Sequence, residues 1–214
     1  MHSLPPVHPC IKHVDFLESM RPVLDQIEAR GGDREAHAPV AYPFAADSDL
    51  LVTFAVDTPA QFITLTPQGM AETRLDAQSL YELAIDNMLR LVASNVVTRD
   101  LGMYRALVAG DGFEACMLLL PDLWELLALG FEGELLAVVP SRDVVYFMDS
   151  GASFEKRGET VSAAEVLGRM CRAAAGVRVG AGPHGLSDKV MALTPDGWCV
   201  RGTLKDYCEP ALEA

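Results

Sequence analysis

The chain has 214 residues, of which half are hydrophobic, and a formal net charge of −13. That length and apolar content can bury a core without disulfide or metal staples, and a field of that sign repels nucleic acid and anionic membranes. Cys10, Cys116, Cys171, Cys199 and Cys208 are odd in number and widely spaced, which argues against a zinc ribbon, a C-x-x-C redox pair and a disulfide framework, and for reduced thiols in a cytoplasm.

The opening Met1–Pro6 lacks the basic start and apolar run of a secretory signal. No apolar stretch reaches the roughly 18–20 residues needed to span a bilayer. Residues 1–12 are proline-rich and read as a loose terminus. From His13 to Arg30, Phe16, Leu17, Met20, Val23, Leu24 and Ile27 recur at helical steps, and Gly31-Gly32 supplies the stop. Residues 31–49 read as a connection with a short apolar patch at Val40–Phe44. Leu50–Val56 and Phe62–Leu65 are predicted strands around Asp57-Thr58-Pro59.

Asp76 is placed to cap a helix running from Ala77 to about Ala93. Leu80, Tyr81, Leu83, Ala84, Ile85, Met88, Leu89, Leu91 and Val92 cover most of its circumference. Such a helix is expected to pack on two sides and to be central. Asn95–Thr98 and Met103–Val108 are predicted strands. Gly110-Asp111-Gly112 is expected to close a hairpin, with Phe113–Leu120 returning as its second strand.

Pro121 opens a helix to Leu129, ended near Gly130. Glu134–Val139 and Val144–Met148 are predicted strands around Pro140-Ser141-Arg142-Asp143. Thr160 or Ser162 caps a last helix reaching Ala175. Val190–Thr194 and Trp198–Arg201 form a final hairpin over Pro195-Asp196-Gly197. Strands outnumber helices and come as hairpins. The expected class is α+β, a mixed or mostly antiparallel sheet with about four helices packed against it. The expected organisation is an N-terminal segment with one helix (1–30) packed on a single α+β domain (31–214).

Charge is segregated along the chain. Residues 31–150 carry six positive and 18 negative side chains, a net of −12, whereas residues 151–214 carry eight of each. Lys156, Arg157, Arg169, Arg172 and Arg178 form the one basic cluster. No aromatic residues interleave them, so a nucleic-acid stacking platform is not suggested.

Several ordered stretches resemble the YtpQ-like family of bacterial proteins, which has no assigned function. They are Ala55-Val56-Asp57-Thr58-Pro59, Leu83-Ala84-Ile85-Asp86-Asn87-Met88, Gly102-Met103-Tyr104 with Asp111-Gly112-Phe113-Glu114-Ala115, Val138-Val139-Pro140-Ser141-Arg142-Asp143-Val144, and Leu186-Ser187-Asp188. Together they run from about Leu50 to Met191. The resemblance implies a bacterial, intracellular α+β domain and no particular reaction. It also implies a serine where this chain has Cys116, and hence no shared nucleophile there.

Gly180-Ala181-Gly182-Pro183-His184-Gly185 has the glycine spacing of a dinucleotide loop. It follows a helix and precedes a strand, the reverse of what that chemistry requires, and reads as a flexible loop. His8, Cys10 and His13 are zinc-ligating types, but only three, on the terminus read as loose. The loop serines Ser150, Ser153 and Ser187 lie outside any Gly-x-Ser-x-Gly elbow. His184 and Asp188 neighbour Ser187 in sequence alone, whereas a triad is a matter of spatial geometry. No metal and no cofactor is expected.

The candidate binding residues are Arg142, Asp143, Glu114, Asn87, Ser187 and Asp188. Asn87 falls among apolar residues rather than on the Glu82/Asp86/Arg90 stripe, so its amide is expected to hold a neighbouring backbone. Arg142 and Asp143 sit in a turn between two apolar strands, Asp143 capping backbone N–H groups, with an anion-binding Arg142 at the end of a sheet, beside Glu114, as the functional reading. The expected function is non-enzymatic: an immunity-type or adaptor protein gripping a basic partner through residues 31–150. The alternative is a hydrolase or transferase whose site is built on Arg142, Asp143, Glu114 or Ser187. A homodimer through a Trp124 or Phe131 face is the third reading.

Overall fold

The computed structural model describes residues 6–58, 61–110, 112–156 and 158–208. The chain divides into two compact units, residues 1–44 with 50–93, and residues 45–49 with 94–214. The division therefore does not fall after residue 30, and residues 7–13 are not a loose terminus. They form a strand, β1 (Val7–His13), that runs antiparallel along the whole of β3 (Leu50–Asp57), with Val7 opposite Val56 and His13 opposite Leu50. Val7 and Ile11 are buried. Pro9 is compatible with this because β1 is an edge strand, where proline is tolerated on the side that faces away from the ladder.

The first unit continues with α1 (Asp15–Ala29), α2 (Arg34–His37), β2 (Ala41–Pro43), β4 (Phe62–Thr64), α3 (Pro67–Thr73) and α4 (Ala77–Val92). β2 and β4 share the second edge of β3, β2 along Leu51–Thr53 and β4 along Ala55–Asp57. The expected glycine stop of α1 is present: Gly31 lies at φ 81°, and the Gly31 and Gly32 N–H groups donate to Glu28 and Ile27 carbonyls at 2.8 and 2.9 Å. Of the apolar stripe of α1, only Leu24 is buried, while Leu17 and Val23 are exposed.

Asp76 caps α4 through the Ser79 N–H at 2.7 Å. Leu80, Ala84, Met88 and Val92 are fully buried, but Tyr81, Leu83, Ile85 and Leu89 are half-buried and Leu91 is exposed. α4 thus has one deeply packed face, and the two-sided packing expected of it is not found. Pro59, in the turn before β4, lies outside the described residues.

The second unit holds a six-stranded sheet of order β12-β11-β7-β8-β6-β5, in which every neighbouring pair is antiparallel. Its strands are β5 (Val97–Asp100), β6 (Arg105–Val108), β7 (Leu135–Ser141), β8 (Val144–Asp149), β11 (Lys189–Thr194) and β12 (Gly197–Thr203), with a separate hairpin of β9 (Phe154–Lys156) and β10 (Glu159–Val161). Helices α5 (Pro121–Ala128), α6 (Ala163–Gly180) and α7 (Leu204–Cys208) complete it. All seven residues of β7 are buried. Leu136 and Val138 meet Val166, Met170, Cys171 and Ala174 of α6 in one cluster. Trp124 of α5 packs edge-on against Phe147 of β8 and Trp198 of β12, with ring centroids 5.5 and 5.2 Å apart.

The molecule is α+β with antiparallel sheets. Its described residues form seven α-helices rather than about four. The surplus consists of α2, α3 and α7, pieces of four, seven and five residues, too short to show a periodicity. Phe113–Leu120 is not a returning strand: Ala115–Leu119 is a 3-10 helix whose residues are all buried. A short apolar run fits a strand or a buried helical turn equally well. Asp111, in that expected hairpin, lies outside the described residues. α6 runs past Gly176 to Gly180, so the glycine-rich segment begins inside a helix and continues as a 3-10 turn at Gly182–His184.

Candidate functional site

The sequence-selected residues divide between the units, Asn87 in the first and the other five in the second. Asn87 Nδ2 donates to the Val7 carbonyl at 3.0 Å, tying α4 to β1. This is the backbone-holding role expected of a polar side chain on a packed helix.

Arg142 and Glu114 are brought together by their backbones but not by their charges. The Ala115 N–H donates to the Arg142 carbonyl at 3.0 Å. The Arg142 guanidinium lies beside Gly112, where an added Cβ would sit 3.6 Å from Nε. Glu114 is buried, and its Oε1 accepts the N–H groups of Ala109 and Gly110 at 3.2 and 2.9 Å. Its Oε2 has no hydrogen-bond partner among the described residues. No ion pair joins the two side chains among those residues. Through Oε1, Glu114 holds the backbone at Ala109 and Gly110, at the end of β6.

Asp143 accepts from Ser141 Oγ at 2.6 Å rather than from a backbone N–H. Ser187 is buried. Its Oγ donates to Asp49 at 2.5 Å and accepts the Lys189 N–H at 2.9 Å. The Asp188 N–H reaches the other oxygen of Asp49 at 3.3 Å, and the Asp188 carboxylate pairs with Lys189 at 3.3 Å. This cluster clasps the 45–49 segment within its own unit.

The basic cluster is also internally engaged. Arg169 pairs with Glu165 at 2.5 Å, Arg172 donates to the Cys208 carbonyl at 3.1 Å, and Arg178 donates to the Leu186 carbonyl at 3.0 Å. Lys156 lies in β9, and Arg157 is outside the described residues. Trp124 forms no exposed face. It is fully buried, and its Nε1 donates to the Met117 carbonyl at 2.7 Å. His8 and Cys10 are on β1, paired along β3. No group of three or more metal-ligating side chains is assembled among the described residues.

A concave feature lies elsewhere. A cleft of about 220 Å³ in the second unit is lined by Asp100, Met103, Tyr104, Arg105, Phe131 and Phe154, with Phe147 and Asp149 also in the lining. Its walls come from the β5–β6 turn, the loop after α5, the end of β8 and the start of β9. Arg105 lies over Phe131, its Cζ 5.8 Å from the ring centroid. Tyr104 meets Tyr146 edge-on at 5.4 Å, and burial pushes its phenol above the ordinary value. Asp149 positions the Phe131 wall: its two oxygens accept the N–H groups of Glu132, Gly133 and Gly151, each at 2.8 Å. Burial works to raise its carboxyl, but the three N–H groups outweigh it and hold the group below the usual carboxylate range.

Of the residues lining this cleft, only Phe131 is singled out by the sequence, as part of a homodimer face and not of a pocket. The aromatic residues of the cleft come from four separate elements, and each alone reads as core. The one available signal was the Gly102-Met103-Tyr104 stretch, noticed for resemblance and not for chemistry. Aromatic faces with carboxylates beside them attract cations and apolar stems. Among the described residues no helix is long and apolar enough to cross a membrane. Compared with known proteins, the chain matches no family model, and no curated sequence or solved structure is similar to it.

Proposed function

We propose that this is a non-enzymatic binding protein that engages a basic partner through the acidic surface carried by residues 31–150. The observation that carries the reading is the contrast between carboxylates engaged in the fold and carboxylates left to solvent. Glu114, Asp49, Asp149 and Asp143 each hold a turn or loop of their own chain. Glu35, Glu72 and Asp86 in the first unit, and Asp122, Glu125 and Glu132 in the second, are exposed and make no ion pair among the described residues. Uncompensated surface charge of one sign steers an oppositely charged partner and sets specificity more than affinity. Of the groups that the enzymatic alternative draws on, Ser187 Oγ, Asp143 Oδ1 and Glu114 Oε1 already hold parts of the fold.

A labelled twelve-residue peptide of alternating lysine and leucine, with its glutamate counterpart, tests the reading by fluorescence anisotropy on the full chain. The lysine peptide is expected to bind, losing about tenfold in affinity as salt rises from low to several-fold physiological strength, and the glutamate peptide to show no binding. Salt-insensitive binding, or binding no tighter than to an unrelated acidic protein of similar net charge, overturns the proposal.

A further inference from the structure

We propose that the cleft beside Phe131 receives one lysine or arginine side chain of the partner, its stem on Tyr104, Phe131 and Phe154 and its charged head at Asp100. The inference rests on the reading that the partner is basic, and it gives that reading a place. At about 220 Å³ the cleft is smaller than the roughly 300–1,000 Å³ that encloses a drug-sized ligand. It is therefore suited to a single side chain rather than to a cofactor.

The wall chemistry selects a cation. Aromatic rings present negative faces, which hold ammonium and guanidinium groups. The chain already places one cation on this wall, since Arg105 lies over Phe131. The lining includes two carboxylates, Asp100 and Asp149, against that one guanidinium. They are not equivalent. Both oxygens of Asp149 are taken by backbone N–H groups. Asp100 accepts the Gly102 N–H through Oδ1 at 2.6 Å, and its Oδ2 has no hydrogen-bond partner among the described residues.

In the β5–β6 ladder Asp100 stands directly opposite Arg105, the cross-strand place where a pair of opposite charges would form. No ion pair forms there, because Arg105 turns to Phe131, and Asp100 lines the cleft with its charge uncompensated. An anion entering would meet two carboxylates. An apolar group would strip water from Asp100 without replacing its hydrogen bonds. A lysine or arginine satisfies both walls, its methylenes on the rings and its N–H groups on Oδ2. Leu126 and Leu129, 64 % and 74 % exposed, stand on the segment leading into the Phe131 wall and offer apolar footing to residues flanking that cation.

The test is an NMR titration of the full chain with N-acetyl amides of lysine, arginine, norleucine and glutamate, read on the ring signals of Tyr104, Phe131 and Phe154. Lysine and arginine amides are expected to give saturable shifts, with norleucine and glutamate amides giving none. Asp100→Asn keeps the oxygen that accepts the Gly102 N–H, so the turn survives, and cation binding is expected to weaken at least about fivefold. Tyr104→Leu is expected to weaken it as well, with an unchanged melting temperature as the folding control for both variants. Equal binding of norleucine, preference for glutamate, or an unaltered Asp100→Asn protein overturns the inference. The lysine–leucine peptide separates the two readings. If it binds wild type and both variants equally, the cleft assignment fails and the basic-partner reading stands. If it does not bind the wild type, the basic-partner reading falls and takes the cleft with it.

Discussion

His8 illustrates how one side chain ties stability to pH. It is buried on β1 and meets the Phe62 ring edge-on at 6.0 Å. Burial pushes its imidazole below the ordinary value, against the opposing pull of Asp57. The unfolded chain therefore takes up this proton first as pH falls. The stabilisation is complete above the unfolded value of about 6.5 and is lost as pH drops from there toward the folded value. The urea midpoint is expected to fall between about pH 7.5 and pH 5, and His8→Phe, which keeps an aromatic ring against Phe62, is expected to flatten that slope. An equal slope in the variant would assign the loss to other groups. Single residues were unevenly legible in the sequence. Asn87 stood out because an amide among apolar neighbours must find a partner, and it holds the Val7 carbonyl. Glu114 was noticed for its place beside a tight turn, but its burial was invisible, because a carboxylate next to glycines ordinarily faces water.

At the scale of elements, the ends of β7 and β8 meet through two glycines. A Cβ at Gly133 would lie 2.4 Å from the Gly151 nitrogen and 2.5 Å from Ser150 Oγ. Backbone atoms cannot step aside as a flexible side chain can. Gly133→Ala is expected to destabilise by about 1–3 kcal/mol, seen as a lowered urea midpoint with the slope unchanged. Gly176, in the interior of α6, has no atom within 4 Å of an added Cβ, so Gly176→Ala is expected to stabilise by about 0.5–1 kcal/mol. The same sign for both substitutions would contradict the geometry. Elements with strong local signals were readable: α1 with its glycine stop, α4 with its aspartate cap, and the β7–β8 and β11–β12 hairpins. The β9–β10 hairpin and the short helices were not, since strands of three residues and helices of four to seven leave too little sequence for a period to register. The 3-10 turn at Ala115–Leu119 looks like a strand in the sequence because its residues are all buried, and burial on every side erases periodicity.

For the whole molecule, charge is the property that was plain in the sequence and strand order the one that was not. The order β12-β11-β7-β8-β6-β5 places residues 100–105 within one cleft with residues 130–154, and no local pattern announces that arrangement. A net charge of −13 opposes the compact state by self-repulsion, which added salt relieves. The melting temperature is therefore expected to rise by a few degrees between low and moderate sodium chloride concentrations. A fall over the same range would mean that the ion pairs Arg34–Asp25 and Arg201–Glu134 outweigh the repulsion.

β5 closes the second sheet with four exposed residues, Val97 to Asp100. An open edge is a template on which further chains can stack into fibrils. This one is four residues long and ends in Arg99 and Asp100, so a chain docking along it would gain few ladder bonds and would have to accommodate two charges. The same aspartate that marks the cleft thus also works as a gatekeeper against aggregation. Neutralising it exposes the protein to self-association at high concentration even where the fold itself is untouched.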